Sequence, residues 1–137
     1  MLKESEPKYL LDTSALLTLI EDEAGADEVE KILREKKVIL PFIVLLEVYY
    51  ISLTEEGEEI ADRRYAMLKS LDAEFITSLD EPTLLTAGRL KARYRISLAD
   101  AIISACAITH DAILVHKDQE YEALQHEVKQ YILPYKK

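Results

Sequence analysis

The segment YLLDTSALL at residues 9–17 decides the fold, because a single acid in it separates a short apolar run from a helical one. Tyr9-Leu10-Leu11 is typical of a buried β-strand, and Thr13–Ile20 has the composition of a helix. Asp12 stands between the two, where the predicted strand ends. The segment therefore predicts a strand that passes directly into a helix, with a carboxylate at the junction.

The rest of the chain repeats this alternation. Pro41 is expected to open the third helix, which is apolar on nearly every side and should be largely buried. Short apolar strands between helices predict an α/β domain with a mainly parallel sheet and helices on both faces. The remaining strands are predicted over 38–40, 74–77, 112–115 and 128–132, and the remaining helices over 26–37, 42–53, 58–71, 81–94, 96–109 and 121–126.

Length and composition narrow the class of protein. The 137 residues suit one domain, 1–137, with 1–7 as a frayed polar lead-in. Apolar residues make up 49% of the chain, which excludes a low-complexity disordered one. A single cysteine, Cys106, excludes an internal disulfide framework and a multi-cysteine zinc site, and is expected to pack in the core. Neither a membrane span nor a secretory signal is recognisable, so a cytoplasmic protein is expected.

Charge gives two opposed indications. The chain has 26 acids and 17 bases, a net charge of −9, which argues against a simple nucleic-acid-binding protein. One stretch, 88–95, is nevertheless basic, and it is called the basic segment below. It is expected to contact a nucleic-acid backbone, with Tyr94 available to stack on a base, unless its charges merely suit a helix end. Its four bases are Arg89, Lys91, Arg93 and Arg95, spaced as two pairs four residues apart along a helix.

Four acids stand among apolar neighbours, where an ionised carboxylate is costly unless something compensates it. Asp12 and Asp118 follow predicted strands, and ligands bind at that edge of an open parallel sheet. Glu47 and Asp100 are the sole charges within FIVLLEVYYISL and ISLADAIISACAIT, near the starts of their helices. The four acids are therefore expected to converge at the carboxyl edge of the sheet.

Each acid also has a structural interpretation. Asp12 could cap a helix, Asp100 could form a capping box with Ser97, and Asp118 could be a turn residue. Glu47 has no capping role, so it would need a buried Arg or Tyr as partner. If the acids converge, they require a cation, and oxygen ligands of this kind suit Mg²⁺ or Mn²⁺ beside phosphates. The chemistry that such a site predicts is hydrolysis of a phosphodiester.

Four segments together resemble the acidic motifs of the PIN domain, and in particular those of VapC-type toxins of toxin–antitoxin pairs. They are YLLDTSALL, LLEVYY, SLADAIISACA and ILVHKDQEY, which occur in the family's order and relative spacing. The resemblance implies an α/β/α sandwich around a short parallel sheet and a metal-dependent endoribonuclease. It also implies an antitoxin partner and a homodimer.

The resemblance assigns roles to individual residues. Asp12 and Asp100 would be the main metal ligands, Glu47 would position metal or water, and Asp118 would complete the pocket. Thr13 and Ser14 would orient Asp12 by hydrogen bonds. The chain departs from the family at two places: His116 stands where a hydroxyl residue is common, and Glu120-Tyr121 stands where Asp-Phe is common. His116 is expected to be a surface residue.

Two other functions remain open from sequence. One is a non-catalytic PIN-like binding module whose acids are vestigial. The other is a PIN nuclease of RNA processing that has no antitoxin.

Overall fold

Five parallel strands form the central sheet of the computed structural model, which describes residues 6–135. Most of the predicted frayed lead-in falls on residues 1–5, outside the described residues. The strand order is β3-β2-β1-β4-β5, and every pair of neighbours is parallel. The strands are β1 (Lys8–Leu11), β2 (Lys37–Pro41), β3 (Glu74–Ile76), β4 (Ala112–His116) and β5 (Gln130–Ile132).

Helices connect the strands and cover the sheet, which confirms the predicted α/β/α architecture. A short 3₁₀ turn, Gln119–Leu124, joins β4 to β5 where a short helix over 121–126 is predicted. The helices are α1 (Thr13–Ile20), α2 (Ala26–Glu35), α3 (Phe42–Glu56), α4 (Glu58–Lys69), α5 (Glu81–Arg93) and α6 (Leu98–Thr109).

The core is built on the central strands. Leu10, Leu11, Leu40 and Leu114 have no exposed surface, and Ile39 has almost none. Consecutive strand residues point to opposite faces, so burial of both members of a Leu-Leu pair means that both faces of the sheet are covered. Cys106 packs in this core, as predicted, and burial raises the pKa of its thiol to about 11.

Three details of the helices differ from the sequence prediction. Pro41 is the last residue of β2 and precedes α3, so it does not occupy the helix's first turn. Helix α3 is not largely buried, because Leu46 and Tyr50 are each 52% exposed and Leu53 is 38% exposed. Helix α5 ends at Arg93, which leaves Arg95 in the connection to α6 and removes the predicted helical pairing of Lys91 with Arg95.

The chain order creates a crevice between β1 and β4. From β1 the chain adds β2 and β3 on one side, and it then returns to add β4 and β5 on the other side. Ligands of open parallel sheets bind where the strand order reverses in this way, beyond the carboxyl ends of the strands. The Asp12 N–H donates to the Val115 carbonyl at 3.1 Å, which joins the two strands at that edge.

The helices of the described residues 6–135 fall short of the length and apolarity that crossing a bilayer demands.

Candidate active site

Asp12 caps helix α1 and still presents a free oxygen. Its Oδ1 accepts the Ala15 N–H at 2.8 Å and the Ser14 hydroxyl at 2.7 Å. Within residues 6–135, Oδ2 accepts no hydrogen bond. The capping interpretation of Asp12 is therefore confirmed, but it uses one oxygen and leaves the other for a ligand.

Burial makes the charge of Asp12 costly. The side chain is almost fully buried, and desolvation raises its pKa to about 7 despite the hydrogen bonds from Ser14 and Ala15. The neighbouring charges of Asp118 and Glu47 raise the pKa further. Asp12 therefore lies within electrostatic reach of two of the other predicted site residues.

Glu47 is half-buried in the second turn of α3, and its partner is Thr13. The Thr13 hydroxyl donates to Glu47 Oε1 at 2.6 Å. The alternative, structural interpretation of Glu47 required a buried Arg or Tyr, and Thr13 is its partner instead. Thr13 was expected to orient Asp12, and this was wrong. The two hydroxyl residues after Asp12 divide the work, since Ser14 holds Asp12 and Thr13 holds Glu47.

Asp100 lies in the first turn of α6, and only half of the predicted capping box forms. The Ser97 hydroxyl accepts the Asp100 N–H at 3.0 Å. In a complete capping box Asp100 would accept the Ser97 N–H, but that N–H donates to Glu120 Oε1 at 3.1 Å instead. The Asp100 carboxylate is thereby released from the cap, and its Oδ1 accepts the Tyr121 hydroxyl at 2.9 Å.

Asp118 opens the 3₁₀ turn that follows β4. Its Oδ1 accepts the Glu120 N–H at 2.9 Å, as a turn residue would. Its own N–H donates to His116 Nδ1 at 3.0 Å. His116 has no exposed surface, so the prediction of a surface histidine was wrong. The apolar residues before it on the strand did not indicate that the imidazole would find hydrogen-bond partners in the interior.

Three carboxylates meet at this point. Asp100, Asp118 and Glu120 each offer an oxygen, and the three oxygens lie within 4.8 Å of one another. Glu120 was missed as a site residue, although the sequence places it two residues after Asp118 and it is the acid that replaces the family's Asp. The cluster thus contains two of the four predicted acids and one that was not predicted.

The cluster perturbs its members in opposite directions. Desolvation, with Glu120 beside it, raises the pKa of Asp100 well above its usual range. The pKa of Glu120 is lowered, chiefly by its hydrogen bond with Asp100 and also by the charge of Lys91. Lys91 belongs to the basic segment, so this one residue of the segment lies within electrostatic reach of Glu120.

The surface around the acids is divided by charge. A cleft of about 600 Å³ reaches Ser14 and Asp118, and its wall includes Glu21, Glu23 and Glu55. The basic segment lies near Glu120, but Tyr94 is not free to stack. Its ring is half-buried and its hydroxyl donates to Glu127 at 2.6 Å.

The donor set fits a hard divalent cation. The three side chains of the cluster all offer carboxylate oxygens. Asp12 and Asp100 are buried, and desolvation raises the pKa of both, so a cation is needed to hold them ionised. Oxygen ligands with mixed burial and an open cleft beside them are the environment in which Mg²⁺ or Mn²⁺ binds together with phosphate.

A family model of the PIN domain matches residues 9–127. The chain belongs to the PIN domain family. A search by sequence found no significant match among curated proteins.

Solved structures with the same fold include toxin–antitoxin proteins. VapBC2 of Rickettsia felis, bound to a fragment of its promoter DNA, matches with a TM-score of 0.76 and 17% identity over 93% of this chain and 99% of that chain. VapBC-1 of Haemophilus influenzae matches with a TM-score of 0.70 and 18% identity over 91% and 97%. VapC20 of Mycobacterium tuberculosis, a toxin that cleaves the sarcin–ricin loop, matches with a TM-score of 0.68 and 17% identity over 85% and 94%.

Proposed function

We propose that this single-domain protein is a divalent-metal-dependent endoribonuclease and the toxin of a type II toxin–antitoxin pair. The observation that carries the proposal is the cluster of carboxylates at the β1–β4 switch point of a PIN domain. Buried acids are retained in such a cluster only where something offsets their repulsion. A divalent cation and a phosphodiester substrate are the pair of ligands that fits.

The metal would be Mg²⁺ or Mn²⁺, held mainly by Asp12 and Asp100. Asp118 and Glu120 supply further oxygens within reach of Asp100, and Glu47 borders the site beside Thr13. The bound ion would act as a Lewis acid and offset the charge that develops at phosphorus. The protein's own contribution is to fix the ligands: Ser14 orients Asp12, Thr13 orients Glu47, and Tyr121 bonds to Asp100.

The substrate would be RNA that approaches from the side of the basic segment. Lys91 is near enough to Glu120 to affect its pKa, and Arg89, Arg93 and Arg95 are exposed around it. The cleft that reaches Asp118 is lined by Glu21, Glu23 and Glu55, which repel a phosphate backbone. This uneven charge favours a structured RNA that fits the surface over bulk single strands. VapC20, which cleaves the sarcin–ricin loop, is a similar fold with such a substrate.

The partners would be an antitoxin and a second copy of the chain. The VapBC neighbours are toxin–antitoxin proteins. The acidic cleft beside the site suits a basic segment of an antitoxin. The apolar side chains exposed on α3, Leu46, Tyr50 and Leu53, are spaced four and three residues apart along one face and suit a homodimer contact. We place the protein in the cytoplasm, where such a toxin would meet its RNA.

Inducible expression in a bacterial host tests the toxin proposal. Wild type should arrest growth, and the RNA of arrested cells should gain new ends at a small set of sites. Asp12→Asn removes the charge of a main ligand without changing the size of the side chain, so it should abolish both effects.

Asp72→Asn is the matched control, because it makes the same change at an exposed acid and should still arrest growth. Arrest with no new RNA ends would contradict the ribonuclease, and growth arrest by Asp12→Asn equal to that of wild type would contradict the assigned site.

A further inference from the structure

A chain of hydrogen bonds runs from strand β5 to Asp100. Gln130 on β5 donates through Nε2 to the Tyr121 carbonyl at 2.9 Å. The Tyr121 hydroxyl donates to Asp100 Oδ1 at 2.9 Å. Tyr121 has no exposed surface, so its hydroxyl has no water to replace that bond. The last strand of the sheet is thereby connected to a proposed metal ligand on helix α6.

His116 connects this chain to Asp118, another acid of the cluster. Its Nδ1 accepts the Asp118 N–H at 3.0 Å, so Nε2 carries the ring hydrogen and donates to Gln130 Oε1 at 2.7 Å. The His116 and Tyr121 rings pack against each other with centroids 4.6 Å apart. Histidine, glutamine and tyrosine therefore satisfy one another inside the protein, and each end of the arrangement meets one acid of the cluster.

The three residues of this network hold one another. His116 and Tyr121 are in contact, and Gln130 bonds to both of them. They are thus parts of one structure, and the Tyr121 hydroxyl is directed at Asp100.

We propose that Tyr121 is a positioning residue for metal binding, which fixes the orientation of the Asp100 carboxylate through the hydrogen bond that it donates to Oδ1. His116 and Gln130 hold Tyr121 in place. The proposal rests on the proposed function, since it assigns Asp100 as a ligand. Groups that hydrogen-bond to metal ligands fix their orientation, and their loss weakens metal affinity on the order of ten- to a hundredfold.

Calorimetric titration of the full chain with Mn²⁺ alone tests the proposal. Tyr121→Phe removes the hydroxyl and keeps the ring, and its dissociation constant for Mn²⁺ should rise about tenfold or more above that of wild type. Tyr131→Phe is the matched control. Its hydroxyl also donates to a carboxylate, Glu28 Oε2 at 2.7 Å, but neither residue belongs to the cluster. Its dissociation constant should stay within about twofold of wild type.

Two further measurements separate positioning from a general loss of structure. The electron paramagnetic resonance spectrum of bound Mn²⁺ should change in Tyr121→Phe and not in Tyr131→Phe, because only the former alters a ligand's geometry. Gln130→Leu keeps the Tyr121 hydroxyl but removes its support, and it should weaken Mn²⁺ binding by less than Tyr121→Phe does. This variant also serves if Tyr121→Phe fails to fold.

The outcomes distinguish this inference from the proposed function. If wild type binds no Mn²⁺, or if Asp100→Asn binds it as wild type does, the metal site itself is refuted. If wild type binds and Asp100→Asn does not, but Tyr121→Phe binds with wild-type affinity and spectrum, the positioning role alone is overturned. Where Gln130→Leu must stand in, wild-type affinity in that variant overturns the role.

Discussion

Two adjacent hydroxyl residues, Thr13 and Ser14, hold different acids of the site. Ser14 donates to Asp12 and also accepts the Lys117 N–H at 3.0 Å, which links the first turn of α1 to the loop that carries Asp118. Thr13 turns to the other side and donates to Glu47. Replacement of either hydroxyl should therefore loosen a different acid.

The buried acids predict a specific dependence of stability on pH. The pKa of Asp12 is about 7 in the folded protein and near 3.8 in the unfolded chain, so between these values the folded state binds more protons. The contribution of Asp12 to the free energy of unfolding should then be greatest below about pH 4 and be lost as the pH rises to 7. Asp100, whose pKa is also raised, acts in the same direction.

Thermal unfolding in EDTA at pH 5 and pH 8 measures this effect. Wild type should be less stable at pH 8, and Asp12→Asn should flatten the dependence and exceed wild type at pH 8. Mg²⁺ should stabilise wild type more at pH 8 than at pH 5, because the ligands must be deprotonated to bind it. A metal-free protein that gains stability from pH 5 to pH 8 would contradict the account of the acids.

At the scale of elements, the predictable parts were those set by local pattern. The strand that ends at Asp12, the helix after it and the strand over 112–116 follow from apolar runs and their boundaries. The sequence also predicted that the four acids lie just after strands or near the starts of helices. Hydrogen-bond partners that are distant in sequence could not be predicted. Glu47 accepts from Thr13, 34 residues away, and His116 bonds to Gln130 on a later strand.

Glu120 illustrates the same limit. In its local sequence it is one of many exposed acids, and it lies in a 3₁₀ turn. It becomes part of the site only because the connection from α5 brings Ser97 and Asp100 to it. The end of α5 could not be predicted from the local sequence either, since Tyr94 lies outside the helix and its hydroxyl donates to Glu127.

The basic segment should contribute to RNA binding through its charge. In an Asp12→Asn background, which prevents cleavage, the double variant Arg89→Gln/Lys91→Gln should bind RNA more weakly. The slope of log affinity against log salt should become shallower by about 0.7 for each phosphate of a single strand that the variant no longer neutralises. Fluorescence anisotropy across a salt series measures both quantities.

Lys36→Gln/Lys37→Gln is the matched control, because it removes the same charge at the opposite, amino edge of the sheet. If this control weakened RNA binding as much as the double variant in the basic segment, the contact would be a general effect of charge and the assignment would be wrong.

At the scale of the whole molecule, the net charge of −9 conceals an uneven distribution. Part of the acid excess is inside the proposed metal site, where bound cation would offset it. Another part lines the cleft that reaches Asp118, and Lys91 of the basic segment lies within electrostatic reach of Glu120. An acidic protein of this kind can act on RNA if the substrate is positioned by shape and by a few local bases.

The central claim is that the carboxylates at the switch point form a divalent-metal site that hydrolyses RNA. The most direct test incubates purified wild type and Asp100→Asn with structured RNA in Mg²⁺, in Mn²⁺ and in EDTA, and maps the products by their ends. The account predicts internal cuts by wild type with either metal, none in EDTA, and at least a hundredfold slower cleavage by Asp100→Asn. Metal-independent cleavage, or an intact RNA with metal-loaded wild type, would contradict it, and the latter result would favour a non-catalytic PIN module.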